Sequence, residues 1–159
     1  MKRKILAYLA SALLVAALLL SAFARPTRTR ADVVVAAALA EWGDTYVLAA
    51  CEPGRAFDCS ALVSYCYGKV GIDFYPKAIA IGYTEQFDRV YDIGRLQRGD
   101  IACFDTVSDN DLSDHVGICL GNGYFIHASS SAGRVIISPL SAYGGVFSWG
   151  IDMQSALQD

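Results

Sequence analysis

The sequence is poor in histidine, with only His115 and His127, and beyond residue 24 it has no run of lysine or arginine. It has no internal repeat and no low-complexity tail. Charged residues make up 18% of the 159 positions, against 54% hydrophobic, and the net charge is −3. Without a basic run beyond residue 24, nothing draws that part of the chain to nucleic acid or to an anionic surface by long-range electrostatics. The apolar fraction excludes a disordered chain, and the length suits one domain rather than two. The close C-x-x-C and H-x-x-x-H spacings that announce zinc are missing, which weakens a zinc site built from Cys59 and the two histidines. Asp105, Asp109, Asp111 and Asp114 lack the glycine and late glutamate of a calcium loop, so they read as a solvated acidic loop. No metal and no cofactor is expected.

Charge is also missing locally. Ile5 to Leu20 contains no charged residue, Lys2, Arg3 and Lys4 precede it, and Ala22-Phe23-Ala24 follows as an A-x-A site. Residues 1–24 therefore read as a secretory signal peptide, with an uncleaved membrane tether through residues 5–24 as the alternative. Both readings put the rest of the chain outside the cytoplasm. This segment raises the mean hydropathy to +0.35. The remaining 135 residues carry ten Lys+Arg against sixteen Asp+Glu, a net charge of −6. Residues 25–31 read as a polar linker and residues 32–159 as the body.

The cysteines are Cys51, Cys59, Cys66, Cys103 and Cys119, an odd number for an exported chain. Export permits disulfides, but five thiols leave at least one unpaired within the molecule. Cys103 and Cys119 fall in strands that can be neighbours, which allows a bridge between them. Buried filler is the ordinary alternative for any of the five.

Ala31–Trp42 reads as a helix with Asp32 near its start and Gly43 after it. Tyr46–Ala50 is a short apolar stretch, and Glu52-Pro53-Gly54-Arg55 marks a loop. Asp58–Val70 is the clearest helix: Leu62, Val63, Cys66, Tyr67 and Val70 follow helical spacing, Asp58 caps it and Gly71 closes it. Beyond residue 90 short apolar runs alternate with turns: Ile101–Phe104, Val116–Leu120, Tyr124–Ala128, Val135–Ile137 and Val146–Ile151. Helices first and a strand meander after predict an α+β fold rather than a parallel sheet.

Cys59 is the first residue of the helix that Asp58 caps, where unpaired N–H groups and the macrodipole favour a thiolate. Cys66, two turns on, reads as a packed core thiol. If the Gly121-Asn122-Gly123 loop pairs Leu120 with Tyr124, then Gly117 faces His127 and His115 becomes its diagonal neighbour, with Gly117 leaving open space between them. A two-residue Asn122-Gly123 turn would put the histidines on opposite faces unless a bulge intervened. One thiol at a helix start and two histidines on one sheet face meet the needs of a nucleophile, its base and an orienting group. Two ordinary polar strand histidines are the alternative.

At this point the residues resemble a known family. Phe57-Asp58-Cys59-Ser60-Ala61-Leu62-Val63 is similar to the nucleophile motif of NlpC-type cell-wall cysteine peptidases. Leu96-Gln97-Arg98-Gly99-Asp100-Ile101 is similar to their following turn and strand, and His115–Gly123 with Phe125-Ile126-His127-Ala128 to their histidine hairpin. The likeness runs from about Val34 to Ile137. It implies a papain-like α+β fold, with the nucleophile helix packed on an antiparallel sheet. It also implies a catalytic set of Cys59 as nucleophile, His115 as base and then acid, and His127 as the member orienting His115. The Cys59 N–H would help hold the oxyanion. Tyr46, Asp58 and Ser60 would line the acyl side of the cleft, where Asp58 can pair with a free amine. The implied substrate is a peptidoglycan stem peptide, cut between γ-D-glutamate and the diamino acid by a monomer with no nucleic-acid partner. Two departures bear on substrate length: Ala61 stands where the family usually has glycine, and Ala49-Ala50 where a Gly-Gly pair is common. The alternatives are a non-catalytic wall-binding module of the same fold, or a thiol amidase or acyltransferase acting on another substrate.

Overall fold

The computed structural model describes residues 13–15, 28–74, 86–107 and 113–158. The export segment expected at residues 1–24 lies almost wholly outside these, as do Asp109 and Asp111 of the acidic loop. Among the described residues no helix is long and apolar enough to cross a membrane.

Helix α1 (Arg30–Ala40) begins at a capping box: the Thr29 side chain accepts from the Asp32 N–H, and Asp32 accepts from the Thr29 N–H. Two donors that a helix start leaves orphaned are thus satisfied. Its buried face is Val34, Val35 and Ala38. Helix α2 (Cys59–Gly68) starts at the Asp58 cap, whose carboxylate accepts from the Ala61 N–H at 2.7 Å. Leu62, Val63, Cys66 and Tyr67 are fully buried along it. Burying Leu62 and Val63 contributes roughly 1.5–3 kcal/mol each. The Tyr67 hydroxyl donates to the Gly99 carbonyl and ties α2 to the turn ahead of the central strands.

The strands are β1 (Thr45–Tyr46), β2 (Cys51–Glu52), β3 (Ala56–Phe57), β4 (Arg89–Val90), β5 (Ile101–Phe104), β6 (His115–Gly121), β7 (Tyr124–Ser129), β8 (Arg134–Pro139) and β9 (Phe147–Ile151). They form one sheet in the order β2-β3-β1-β8-β7-β6-β5-β9-β4. Every neighbouring pair is antiparallel except β1 and β3, which run parallel, so the sheet is mixed rather than antiparallel throughout. The segment expected to be only a loop, Glu52–Arg55, is the turn of a tight hairpin between β2 and β3.

One sheet face carries Ile101, Cys103, Val116, Ile118, Ile126, Ala128 and Val135 against both helices. The other carries Ala102, Phe104, Cys119 and Phe125 beneath Leu140, Tyr143 and Phe147. This is the α+β papain-like arrangement, with both helices on one side of a sheet whose longer strands, β5 to β9, come from the second half of the chain. It also separates Cys103 from Cys119: they project to opposite faces, so the bridge that neighbouring strands suggested cannot form. All five cysteines are free.

Candidate active site

The β6–β7 hairpin decides where the histidines go. Its turn is the two residues Asn122 and Gly123, both with positive φ (+54° and +79°), the twist a tight hairpin turn requires. Gly121 therefore pairs with Tyr124, not Leu120 with Tyr124 as the three-residue loop predicts. Such a turn alone would have thrown the histidines to opposite faces. A bulge between Cys119 and Gly121 leaves Leu120 as the extra residue and restores the Ile118–Ile126 pair. From there the register carries Gly117 opposite His127, and both histidines to the same face.

His115 Nε2 and His127 Nδ1 lie 2.7 Å apart. This is a hydrogen-bond separation, shorter than the ~3.3 Å between two nitrogens on a tetrahedral zinc with ~2.0 Å bonds. His127 Nε2 lies 3.0 Å from Ser138 Oγ on β8. The Phe125 ring stacks on His127 at 4.5 Å between centroids, and Tyr143 meets it edge-on at 5.5 Å. Gly117 does not leave open space here. A Cβ at that position would stand 2.6 Å from Phe125 Cδ2, 2.8 Å from the Ile126 carbonyl and 2.9 Å from His127 Cβ. Glycine is needed because the strands and rings close in on it.

Burial sets the protonation of both rings. His127 is 1% exposed and His115 8%. Loss of solvent pulls His115 down to about 4, opposed by the nearby Asp114 carboxylate. Loss of solvent and then the neighbouring His115 pull His127 down to about 3. Both are neutral at pH 7.

Cys59 opens α2, and the backbone N–H of Val116 reaches its sulfur, with those of Ser60 and Cys59 itself. The thiol therefore lies at the first residues of β6, whose Val116 follows His115 in the chain. Here the expectation of an acidified thiol fails. Burial raises the Cys59 pKa more than the three N–H groups lower it, and the Asp58 carboxylate raises it further. The helix start directs donors at the sulfur but does not by itself produce a resting thiolate.

Asp58 Oδ1 accepts from the Ala61 N–H and the Ser60 hydroxyl, and Oδ2 from the Ala49 N–H at 2.8 Å. Ala49, in the place where the family resemblance expects glycine, has a φ of +62° that glycine adopts without strain. Burial, then the proximity of Cys59 and Asp58, raises the Tyr46 phenol above its ordinary value. Tyr46 thus belongs to the same electrostatic neighbourhood. Ser60 is buried, its hydroxyl turned to Asp58.

Ser138 was not singled out from the sequence. A signal for it exists: pairing β8 back from the Gly133 turn sets Ser138 opposite Phe125, on the His127 face of the sheet. Among the described residues no three histidine, cysteine or acidic side chains gather as a metal site.

Residues 43–150 match the model of the NlpC/P60 family. Similar curated proteins include the probable endopeptidase YafL of Escherichia coli, 31% identical over 62% of this chain and 39% of the relative. The peptidoglycan DL-endopeptidase CwlO of Bacillus licheniformis is 34% identical over 56% of this chain and 19% of the relative. The murein DD-endopeptidase MepH of Escherichia coli is 30% identical over 62% of this chain and 36% of the relative. The matched part of the chain thus spans well under half the length of these relatives. Among solved structures, NlpC1 from Trichomonas vaginalis superposes with a TM-score of 0.69 at 27% identity, over 79% of this chain and 44% of the other.

Proposed function

This chain belongs to the NlpC/P60 family, whose members among its relatives are peptidoglycan endopeptidases, and we propose from that premise that it hydrolyses peptidoglycan stem peptides outside the cytoplasm. Cys59 is the nucleophile, His115 the base and then the acid, and His127 the group that orients His115. The observation that carries this reading is a helix-start thiol contacted by the Val116 N–H, on the strand that His115 opens, with His115 held 2.7 Å from His127 of the next strand.

Because burial keeps thiol and imidazole neutral, the proton moves during attack. His115 Nε2 is engaged with His127, so Nδ1 is the nitrogen left for the thiol. The Cys59 S–H proton passes to Nδ1 as sulfur bonds to the carbonyl carbon. The Cys59 N–H stabilises the developing oxyanion. The C–N bond then breaks, His115 returns the proton to the departing amine, and water hydrolyses the thioester with His115 again as base.

The bond most consistent with the site is that between γ-D-glutamate and the diamino acid. Tyr46 and the Asp58 carboxylate frame the acyl side, where Asp58 pairs with a free amine and Ser60 acts by holding Asp58. The relatives carry both DL- and DD-endopeptidase names, so the products decide the bond. Digestion of defined muropeptides with residues 25–159, read by mass spectrometry, tests this. Fragments ending in a free D-glutamate γ-carboxylate are expected, and Cys59→Ala should release none while unfolding cooperatively. Undiminished release by that variant would remove the thiol mechanism, and cleavage of cross-links alone would replace the DL bond with the DD bond.

A further inference from the structure

We propose that Ser138 is a positioning residue that sets the proton arrangement of the histidine pair and so keeps His115 Nδ1 free to accept the thiol proton. The proposal rests on the reading of His115 as the base.

A neutral imidazole has one N–H and one bare nitrogen. Along the chain His115 Nε2, His127 Nδ1, His127 Nε2, Ser138 Oγ, with contacts of 2.7 Å and 3.0 Å, only two ordered arrangements exist. In one, His115 Nε2–H donates to His127 Nδ1, and His127 Nε2–H donates to Ser138 Oγ. His115 Nδ1 is then bare, as the base toward Cys59 must be. In the other, the Ser138 hydroxyl donates to His127 Nε2, His127 Nδ1–H donates to His115 Nε2, and the proton of His115 sits on Nδ1. That ring cannot serve as a base toward Cys59. The first arrangement also serves the imidazolium formed during attack, because its Nε2–H still finds an acceptor in His127.

The first arrangement requires an acceptor beyond His127 Nε2, and the surroundings offer Ser138. His127 is 1% exposed and Ser138 8%, so bulk water does not substitute. The Phe125 and Tyr143 rings close two further sides of His127. With Ser138 removed, the His127 Nε2–H would be buried without an acceptor, and a buried orphan N–H is the costlier defect compared with a bare lone pair. The proton would move to Nδ1 and drive His115 into the unproductive form.

The test is the ring tautomer of each histidine, read from long-range proton–nitrogen NMR spectra at pH 7, alongside steady-state cleavage of a defined muropeptide. In the unaltered protein both rings should carry their proton on Nε2. In Ser138→Ala both should shift to Nδ1, with kcat reduced ~10–100-fold, part of the ~10²–10⁴ a positioned base contributes. KM should change less than about twofold, because Ser138 touches no substrate. Ser138→Thr, which keeps the hydroxyl on a strand-compatible side chain, should restore both readouts. Unchanged tautomers and kcat in Ser138→Ala would overturn the proposal, and so would His115 protonated on Nδ1 in the unaltered protein. The latter measurement needs no variant to fold. If the unaltered protein cleaves no muropeptide, the proposed substrate fails while the ring spectra still decide the role of Ser138.

Discussion

At the scale of single residues, the opposed pKa shifts of Cys59 and His115 determine how the nucleophile is made. A resting thiolate–imidazolium pair needs the thiol to be the stronger acid. Here burial pushes Cys59 up and His115 down to about 4, so the neutral pair is the ground state. The three N–H groups around the sulfur then act on the charge that develops during attack. Two pH dependences follow from the signs. Below the raised Cys59 pKa the thiolate fraction grows about tenfold per pH unit. Alkylation of Cys59 by iodoacetamide should therefore climb through pH 7, 8 and 9, whereas a preformed ion pair would give a plateau from pH 5 to 8. Peptide cleavage needs a neutral His115 and should hold its rate down to about pH 5, falling as pH approaches about 4. An acid limb centred near 6.5 would show that the imidazole is solvated in the working enzyme.

At the scale of elements, the β6–β7 hairpin fixes the chemistry through two features of different legibility. The positive-φ turn is readable from Asn122-Gly123, since glycine and asparagine tolerate that backbone at low cost. The bulge at Leu120 is not, because no residue type demands it. It is selected by packing, which must keep Ile118 and Ile126 on the helix side. Helix α2 was legible from the Asp58 cap and the spacing of its apolar residues. Strands β1 to β4 were not, since two residues carry no periodicity and pairing alone defines them. The thiol acidity is illegible for a related reason: the helix start is local and visible, while the burial that outweighs it is tertiary. Gly117 joins both levels. Gly117→Ala should cost about 1–3 kcal/mol by overpacking, because one of its clashing neighbours is the Ile126 backbone carbonyl, which cannot rotate away. The displaced His127 should also lower kcat by more than the loss of stability explains. A urea titration beside steady-state kinetics checks both. Unchanged stability would mean that the hairpin opens to admit a methyl group.

At the scale of the whole molecule, the histidine pair is enclosed by the sheet on one side and by Tyr143, from the segment linking β8 to β9, on the other, so its titration is coupled to folding. His115 and His127 have folded values of about 4 and about 3, below the ordinary 6.5. Above pH 6.5 neither state binds the proton and the pair's contribution to stability is fully present. As pH falls from 6.5 toward 4 the unfolded chain takes up protons that the folded one refuses, and stability is lost. The loss is at most about 1.4 kcal/mol per pH unit for each histidine. Asp44 and Asp100, whose carboxyl values are raised chiefly by burial, act in the opposite sense. They do not involve His127, which makes a variant comparison informative. His127→Asn removes one titrating ring and leaves an amide able to bond both neighbours. It should be less stable at pH 7 yet lose less stability per pH unit between 6.5 and 5, by about 1 kcal/mol per unit in urea titrations. Equal slopes in the two proteins would mean that His127 titrates alike in the folded and unfolded chains, and that the buried pair does not set the acid stability of this fold.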